Sequence, residues 1–232
     1  MKIVVTGSEG LLGWHAAAQL HAANCAARFR KEEQPFELVA LDRMAFGDHA
    51  KLGEALSGAE AVLHFAGVNR GTEEEVRDGN PRIAQLLADA CARLGMMPHI
   101  IYANSTHAGR DTLYGNSKRR AAEILSGIGG CFTNLVLPHI FGEGARPRYN
   151  NVTATFIEAV IAGEAPQIDS NGTVQLLHAG KAARIAIDAA QGRHDGEMVP
   201  ESRPTAVPWL FETLKRFHAD YSSNLFPDLS DD

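Results

Sequence analysis

Three glycines, set three residues apart at the start of the chain, limit what it can fold into more than anything after them. Residues 2–6, KIVVT, are a short apolar run; Gly7, Gly10 and Gly13 follow in TGSEGLLG, and the Ala-rich stretch WHAAAQLHAANCAA comes next. Strand, tight glycine turn and helix start form a βα unit whose free N–H groups and helix dipole suit a phosphate. Glycine lets the backbone approach where a side chain would collide. The spacing is GxxGxxG, not the GxGxxG of the dinucleotide fingerprint. Two readings therefore stand: a pyrophosphate cradle lined by Gly7, Gly10, Leu11 and Gly13, or a plain α/β unit with a glycine-rich turn.

The rest of the chain alternates in the same way, which predicts an α/β fold with a doubly wound, Rossmann-type parallel sheet and a small C-terminal substrate lobe. Helices are expected over 14–28, 49–58, 76–95 and 114–127, and strands over 37–43, 59–67, 99–106 and 132–137, the last broken at Pro138. A loop and an amphipathic helix share 142–164. Residues 165–192 read as a strand, a turn at Asn171-Gly172, a second strand and a helix, and the remainder holds one short helix led by Pro208. The 232 residues suit a single domain with its nucleotide-binding core at about 1–140 and 165–192 and substrate elements at about 141–164 and 193–232. The polar ending YSSNLFPDLSDD reads as a truncation.

Net charge is -6, from 22 basic and 28 acidic residues, which argues against nucleic acid as the main partner. Cys25, Cys91 and Cys131 are odd in number, with no close pair, as in reduced cytosolic proteins. No apolar run reaches membrane-spanning length, and the chain begins directly in a strand, without a signal peptide. A soluble, cytoplasmic protein is expected. The histidines lack zinc spacing, there is no CxxC, no GxSxG elbow and no P-loop ending, so no metal and no hydrolase or NTPase chemistry is expected.

Candidate site residues lie at strand ends. Asp42 closes the second strand, where an acid can hold ribose hydroxyls and favour NAD, although it lies beyond the usual distance of about 20 residues from the turn. Arg43 can meet a 2′-phosphate, which leaves NADP open, or be a solvated base. Ala66 and Gly67 would let the third strand end approach a cofactor, and Asn69 and Arg70 sit on the following loop, where substrate is met or where a surface loop simply runs. Asn80, before Pro81, either bridges to a neighbouring strand or caps a helix restarted at the proline. Arg146, Arg148, Asn150 and Asn151 cluster before a helix, as a phosphate or sugar entrance or as a solvated helix start.

The sharpest pair is Tyr114 and Lys118, four apart and on one helical face. A free tyrosine has a pKa of about 10. An ammonium one turn away is expected to lower it, while the same lysine reaches the nicotinamide ribose. Ser105 ends the preceding strand, with Thr106 beside it, and can bond the same substrate oxygen. The chemistry this predicts is hydride transfer between a carbinol carbon and nicotinamide, with Tyr114 passing the proton.

TGSEGLLG at 6–13, LHFAG at 63–67, Asn80, Ser105 and YGNSK at 114–118 together resemble the extended short-chain dehydrogenases/reductases, in the nucleoside-diphosphate-sugar epimerase/dehydratase group. HFAGVNR (64–70), LPHIFGEGARPRYNNVTATF (137–156) and NLFPDL (224–229) resemble, within it, the capsular polysaccharide reductases, whose reductase domain precedes a cupin domain. The resemblance implies NAD or NADP as cofactor and Ser105, Tyr114 and Lys118 as catalytic residues. It implies Pro138 and His139 where a Pro-Asn pair lies near nicotinamide, and Arg148 and Asn150 facing the sugar. It also implies a homodimer through helices at about 81–94 and 114–124. The activity implied is reduction of a 4-keto nucleotide sugar of the UDP-N-acetyl-deoxyhexulose type in surface polysaccharide biosynthesis. The alternatives are a nucleotide-sugar 4-epimerase or dehydratase, and a non-catalytic NAD(P)-binding sensor or scaffold. The departures are His139 in place of Asn, Gly180 and Lys181 where the group has an acidic pair, and Asp42 where an NADPH-preferring relative has another residue.

Overall fold

The computed structural model describes residues 1–229. Its elements, in chain order, are β1 (Lys2–Thr6), α1 (Leu11–Phe29), β2 (Glu37–Leu41), α2 (Arg43–Gly47), α3 (His49–Leu56), β3 (Ala61–His64), α4 (Glu73–Leu94), β4 (His99–Ser105), a 3₁₀ turn (Thr106–Gly109), α5 (Leu113–Ser126) and β5 (Phe132–Leu137). There follow β6 (His139–Phe141), α6 (Val152–Ala162), β7 (Thr173–His178), α7 (Ala179–Gly192), β8 (Gly196–Met198), β9 (Arg203–Ala206) and α8 (Val207–Ser222). The chain forms two compact units. One is Met1–Pro138 with Ala179–Pro200, and the other is His139–His178 with the segment from Glu201 onward.

The first unit is a parallel sheet in the order β2-β1-β3-β4-β5-β8. Strand order reverses between β1 and β3, which creates the crevice at their carboxyl ends where ligands of such sheets bind. Thr6 and His64, the last residues of those two strands, stand directly opposite each other. Val4, Val62, Ile100 and Tyr102 on one sheet face pack against Leu52, Leu56, Leu87, Cys91 and Leu125 of the covering helices.

Helix α4 begins three residues earlier than its apolar stripe suggests, because Thr72 and Glu75 form a capping box (Glu75 N to Thr72 Oγ1, 3.2 Å; Thr72 N to Glu75 Oε2, 2.7 Å). Glu73, Glu74 and Glu75 then favour the positive end of the helix dipole. The helix does not restart at Pro81 but runs through it. Asn80, instead of capping, clamps the loop after β3. Its Oδ1 accepts from Val68 N at 3.0 Å, and its Nδ2 donates to Val68 O at 2.8 Å and to Ser117 Oγ of α5 at 3.0 Å.

The second unit holds the sheet β6-β7-β9, with β6 and β7 parallel and β7 and β9 antiparallel. Phe156, Leu210 and Phe211 form its core, the two phenyl rings edge to face at 5.1 Å. The strand–turn–strand expected around Asn171-Gly172 does not form: residues 165–172 carry no strand. Pro166 offers no N–H, and Asp169 takes the next ones, its Oδ1 accepting from Asn171 N (3.0 Å) and its carbonyl from Gly172 N (3.1 Å). Strand β7 therefore lies with the second unit, whereas residues 193–200 lie with the first, where β8 extends the sheet. Helix α8 has Pro208 in its first turn, as predicted, but is 16 residues long. Among the described residues no helix is long and apolar enough to cross a membrane.

Replacing Asn80 by Leu keeps its bulk but strands the Val68 N–H and C=O. The expected loss is about 1–3 kcal/mol, read as a lower urea midpoint at unchanged m-value.

Candidate active site

The β1–α1 turn is held by contacts that exclude a side chain. Gly7 has φ +67°, and a Cβ there would lie 2.7 Å from Ala66 N. A Cβ on Gly13 would fall inside the radius of the Gly7 carbonyl oxygen. Gly10 starts α1 without a side-chain cap, and the first turn, beginning at Leu11, contains no acid, so its N–H groups are left to an external anion. Thr6 Oγ1 accepts from Ala66 N at 3.2 Å and lies 2.9 Å from His64 Nδ1. The set is satisfied when Thr6 donates to Nδ1 and the imidazole carries its proton on Nε2. Burial, aided by the charge of Lys118, pushes His64 down to about 3, so the ring is neutral. Gly67 is needed beside it, since a Cβ there would lie 2.9 Å from Asn80 Oδ1.

At the β2 end, Asp42 is half-buried and caps α2, Oδ1 accepting from Ala45 N at 2.7 Å. Arg43 is exposed and turns its charge toward Glu75, which is held below the usual carboxylate range first by its Thr72 bonds and less by Arg43.

Ser105, Tyr114 and Lys118 come together where β4 meets α5. Ser105 Oγ accepts from His107 N at 3.2 Å, which fixes the 3₁₀ turn, and Ser105 lies near enough to Tyr114 to draw its pKa down against burial. Thr112 caps α5 by accepting from Gly115 N at 3.0 Å. A Cβ on Gly115 would collide with the carbonyls of His107 and Arg110, so this glycine lets the helix press its first turn, with Tyr114, onto the 3₁₀ turn. Arg119 ties the same turn from α5 through the carbonyls of Ala108 and Arg110. Lys118 is buried; its Nζ donates to Ala103 O at 2.6 Å and lies 4.2 Å over the Tyr102 ring.

This packing corrects the expected electrostatics. Burial raises Tyr114 above its ordinary value, with neighbouring Ser105 partly opposing, and burial pushes Lys118 down to about 7. Desolvation outweighs the helical-turn attraction because both groups are withdrawn from water and the lysine is held against the strand. The roles of Thr6, Gly115 and Arg119 escaped the sequence reading, although Thr6 lies inside TGSEGLLG and Gly115 inside YGNSK.

The remaining candidates are dispersed. Asn69 and Arg70 are exposed loop residues of the first unit and Thr106 is an exposed residue of its 3₁₀ turn, while Pro138 follows the end of β5. In the second unit His139 is half-buried; burial lowers its pKa, nearby Asn151 opposes this, and its Nε2 is buried without a hydrogen-bond partner. Asn151 is a structural cap, accepting from Ala154 N at 3.0 Å and donating to Ile140 O at 2.8 Å. The expected basic entrance is weakened. Arg148 is paired with Glu158 and, at 2.7 Å, with Glu164, so two carboxylates already neutralise it. Arg146 stacks over Tyr149 at 5.3 Å, and Asn150 is exposed.

The profile of the NAD dependent epimerase/dehydratase family matches residues 3–197. The chain belongs to that family. A curated member from Pseudomonas aeruginosa, UDP-2-acetamido-2,6-beta-L-arabino-hexul-4-ose reductase, is 31% identical over 226 residues, covering 94% of this chain and 58% of that protein. The chain thus spans less than two thirds of that relative. Among solved structures, the capsular polysaccharide assembling protein CapF from Staphylococcus aureus superposes with TM-score 0.74 at 22% identity, over 100% of this chain and 61% of that one. UDP-N-acetylglucosamine 4-epimerase from Bacillus cereus gives TM-score 0.73 at 20% identity, over 93% and 81%. The family's nicotinamide dinucleotide fits the residues present. Gly7, Gly10 and Gly13 leave room where any Cβ would intrude, α1 presents an uncapped start, and Asp42 stands at the neighbouring strand end.

Because folded His64 titrates near 3 and the unfolded residue near 6.5, the unfolded chain binds the extra proton between those values. Stability is expected to fall as pH drops from about 6.5 toward 3. A series of thermal midpoints should show this slope flattened in His64→Gln.

Proposed function

We propose that the chain is an NAD(P)-dependent reductase acting on the 4-keto group of a UDP-N-acetyl-deoxyhexulose-type nucleotide sugar, in the assembly of surface polysaccharide. The observation that carries this is the meeting of Ser105, at the exit of β4, with Tyr114, and buried Lys118 one turn along α5. The Pseudomonas aeruginosa relative, a 4-ulose reductase by name, supports the substrate class.

When bound, the dinucleotide supplies the hydride that reaches sugar C4. Ser105 and Tyr114 hold the carbonyl oxygen. Tyr114, raised by burial, keeps its proton at neutral pH and so can give it to that oxygen as the C–H bond forms. The electron pair of the broken O–H bond stays on Tyr114, where protonated Lys118 stabilises the phenolate. The same burial disfavours the opposite start, removal of a proton from an alcohol, with which a 4-epimerase must begin. Asp42 Oδ2 holds the adenosine ribose. Ile83, Leu86, Ala122 and Ile124 on α4 and α5 are half-buried, and the proposed homodimer would complete their burial. The free thiols of Cys25, Cys91 and Cys131 suit a cytoplasmic site of action.

A panel of UDP- and dTDP-linked 4-keto sugars with NADH or NADPH tests the proposal through loss of reduced cofactor. Tyr114→Phe is expected to lower kcat by at least about a thousandfold with cofactor Kd within about threefold. Asp42→Ala should weaken NADH more than NADPH. Interconversion of two sugars without added reductant would replace reductase by epimerase. If reduction needs the Lys118 charge, kcat/KM declines as pH rises through about 7, since the ammonium is lost there.

A further inference from the structure

Tyr102 is among the largest fully buried side chains, and the chemistry above makes no use of it. Its hydroxyl is buried without a hydrogen-bond partner. A phenylalanine would pack there without that penalty, so whatever Tyr102 contributes must come from the ring. The Lys118 ammonium lies 4.2 Å over the ring centroid, within the reach of a cation–π contact, and the same Nζ donates to the carbonyl of the next residue, Ala103, at 2.6 Å. One short piece of β4 thus offers the lysine both an aromatic face and a carbonyl. The ring is itself held: the His64 imidazole lies 5.9 Å from it, tilted by 30°, and Phe46 lies 5.9 Å from His64.

We propose that Tyr102 is a positioning residue for Lys118, the face of its ring seating the ammonium over β4 while its hydroxyl is dispensable. The proposal rests on the reading of Lys118 as the catalytic lysine. The titratable groups about this ammonium are His64 from β3, whose pKa its charge lowers, Tyr102 from β4, whose ring it overlies, and Tyr114, one turn before it on α5. Burial keeps His64 neutral and raises both phenols, so none changes charge near neutrality. The ring quadrupole favours the charged form of the lysine against the burial that disfavours it. Removing the ring must therefore move the titration of Lys118 to lower pH.

Protein labelled with [13Cε]lysine, the Lys118 resonance assigned through Lys118→Arg, reports this titration without any substrate. Tyr102→Phe is expected to titrate within about 0.3 pH units of the parent, and Tyr102→Leu about one unit lower. Pentafluorophenylalanine introduced at position 102 keeps the shape of the ring but reverses its quadrupole. It should shift Lys118 as Tyr102→Leu does, even if the leucine variant fails to fold. In turnover, the fluorinated protein should lose about tenfold in kcat at unchanged KM for the cofactor. Equal titrations for the phenyl and pentafluorophenyl rings would overturn the proposal, as would a shift in Tyr102→Phe as large as that in Tyr102→Leu. Absence of turnover in the parent on every 4-keto sugar would remove the proposed function and leave the titration result standing.

Discussion

Where strand order reverses, two turns approach so closely that only hydrogen fits between them. Gly7 lies against the Ala66 amide and Gly13 against the Gly7 carbonyl. From this approach the Thr6 hydroxyl can join the ends of β1 and β3, taking the Ala66 N–H and meeting His64. One residue on, Gly67 admits the Asn80 amide, which holds the loop after β3 and reaches Ser117, the neighbour of Lys118. The glycine turn and the Ser105–Tyr114–Lys118 cluster are thus two ends of one short run of close contacts.

Burial sets the electrostatic character of the centre. It acts in opposite senses on the two proton carriers, raising the phenol of Tyr114 and lowering the ammonium of Lys118. The lysine, not the tyrosine, is therefore the group whose charge is in the balance near neutrality. Its neighbours respect this: a neutral imidazole, a phenol ring and a backbone carbonyl surround it.

Much of this was legible in the sequence, because the first unit is built from local signals. Glycines mark the turn, apolar runs mark buried strands, and YGNSK marks the start of α5. What was missed depends on partners distant in sequence. Asn80 does not cap a restarted helix because its amide is engaged by partners at residues 68 and 117. The supposed hairpin at residue 171 looked right by composition, but β7 pairs with β6 and β9. The pairing of Arg148 with Glu158 and Glu164 could not be read from its own neighbourhood, since those carboxylates lie 10 and 16 residues further along the chain. The pKa of Tyr114 went the other way because solvent exclusion, invisible in a spacing of four, outweighs the neighbouring charge.

The chain passes from one compact unit to the other after Pro138, after His178 and after Pro200. Strand β8, which completes the edge of the six-stranded sheet, is therefore synthesised only after β6, α6 and β7. Neither unit is a contiguous cassette. An exchange of the smaller one between relatives must splice at all three passages, and recombination at a single crossover would leave a sheet without its last strand or a lobe without α8.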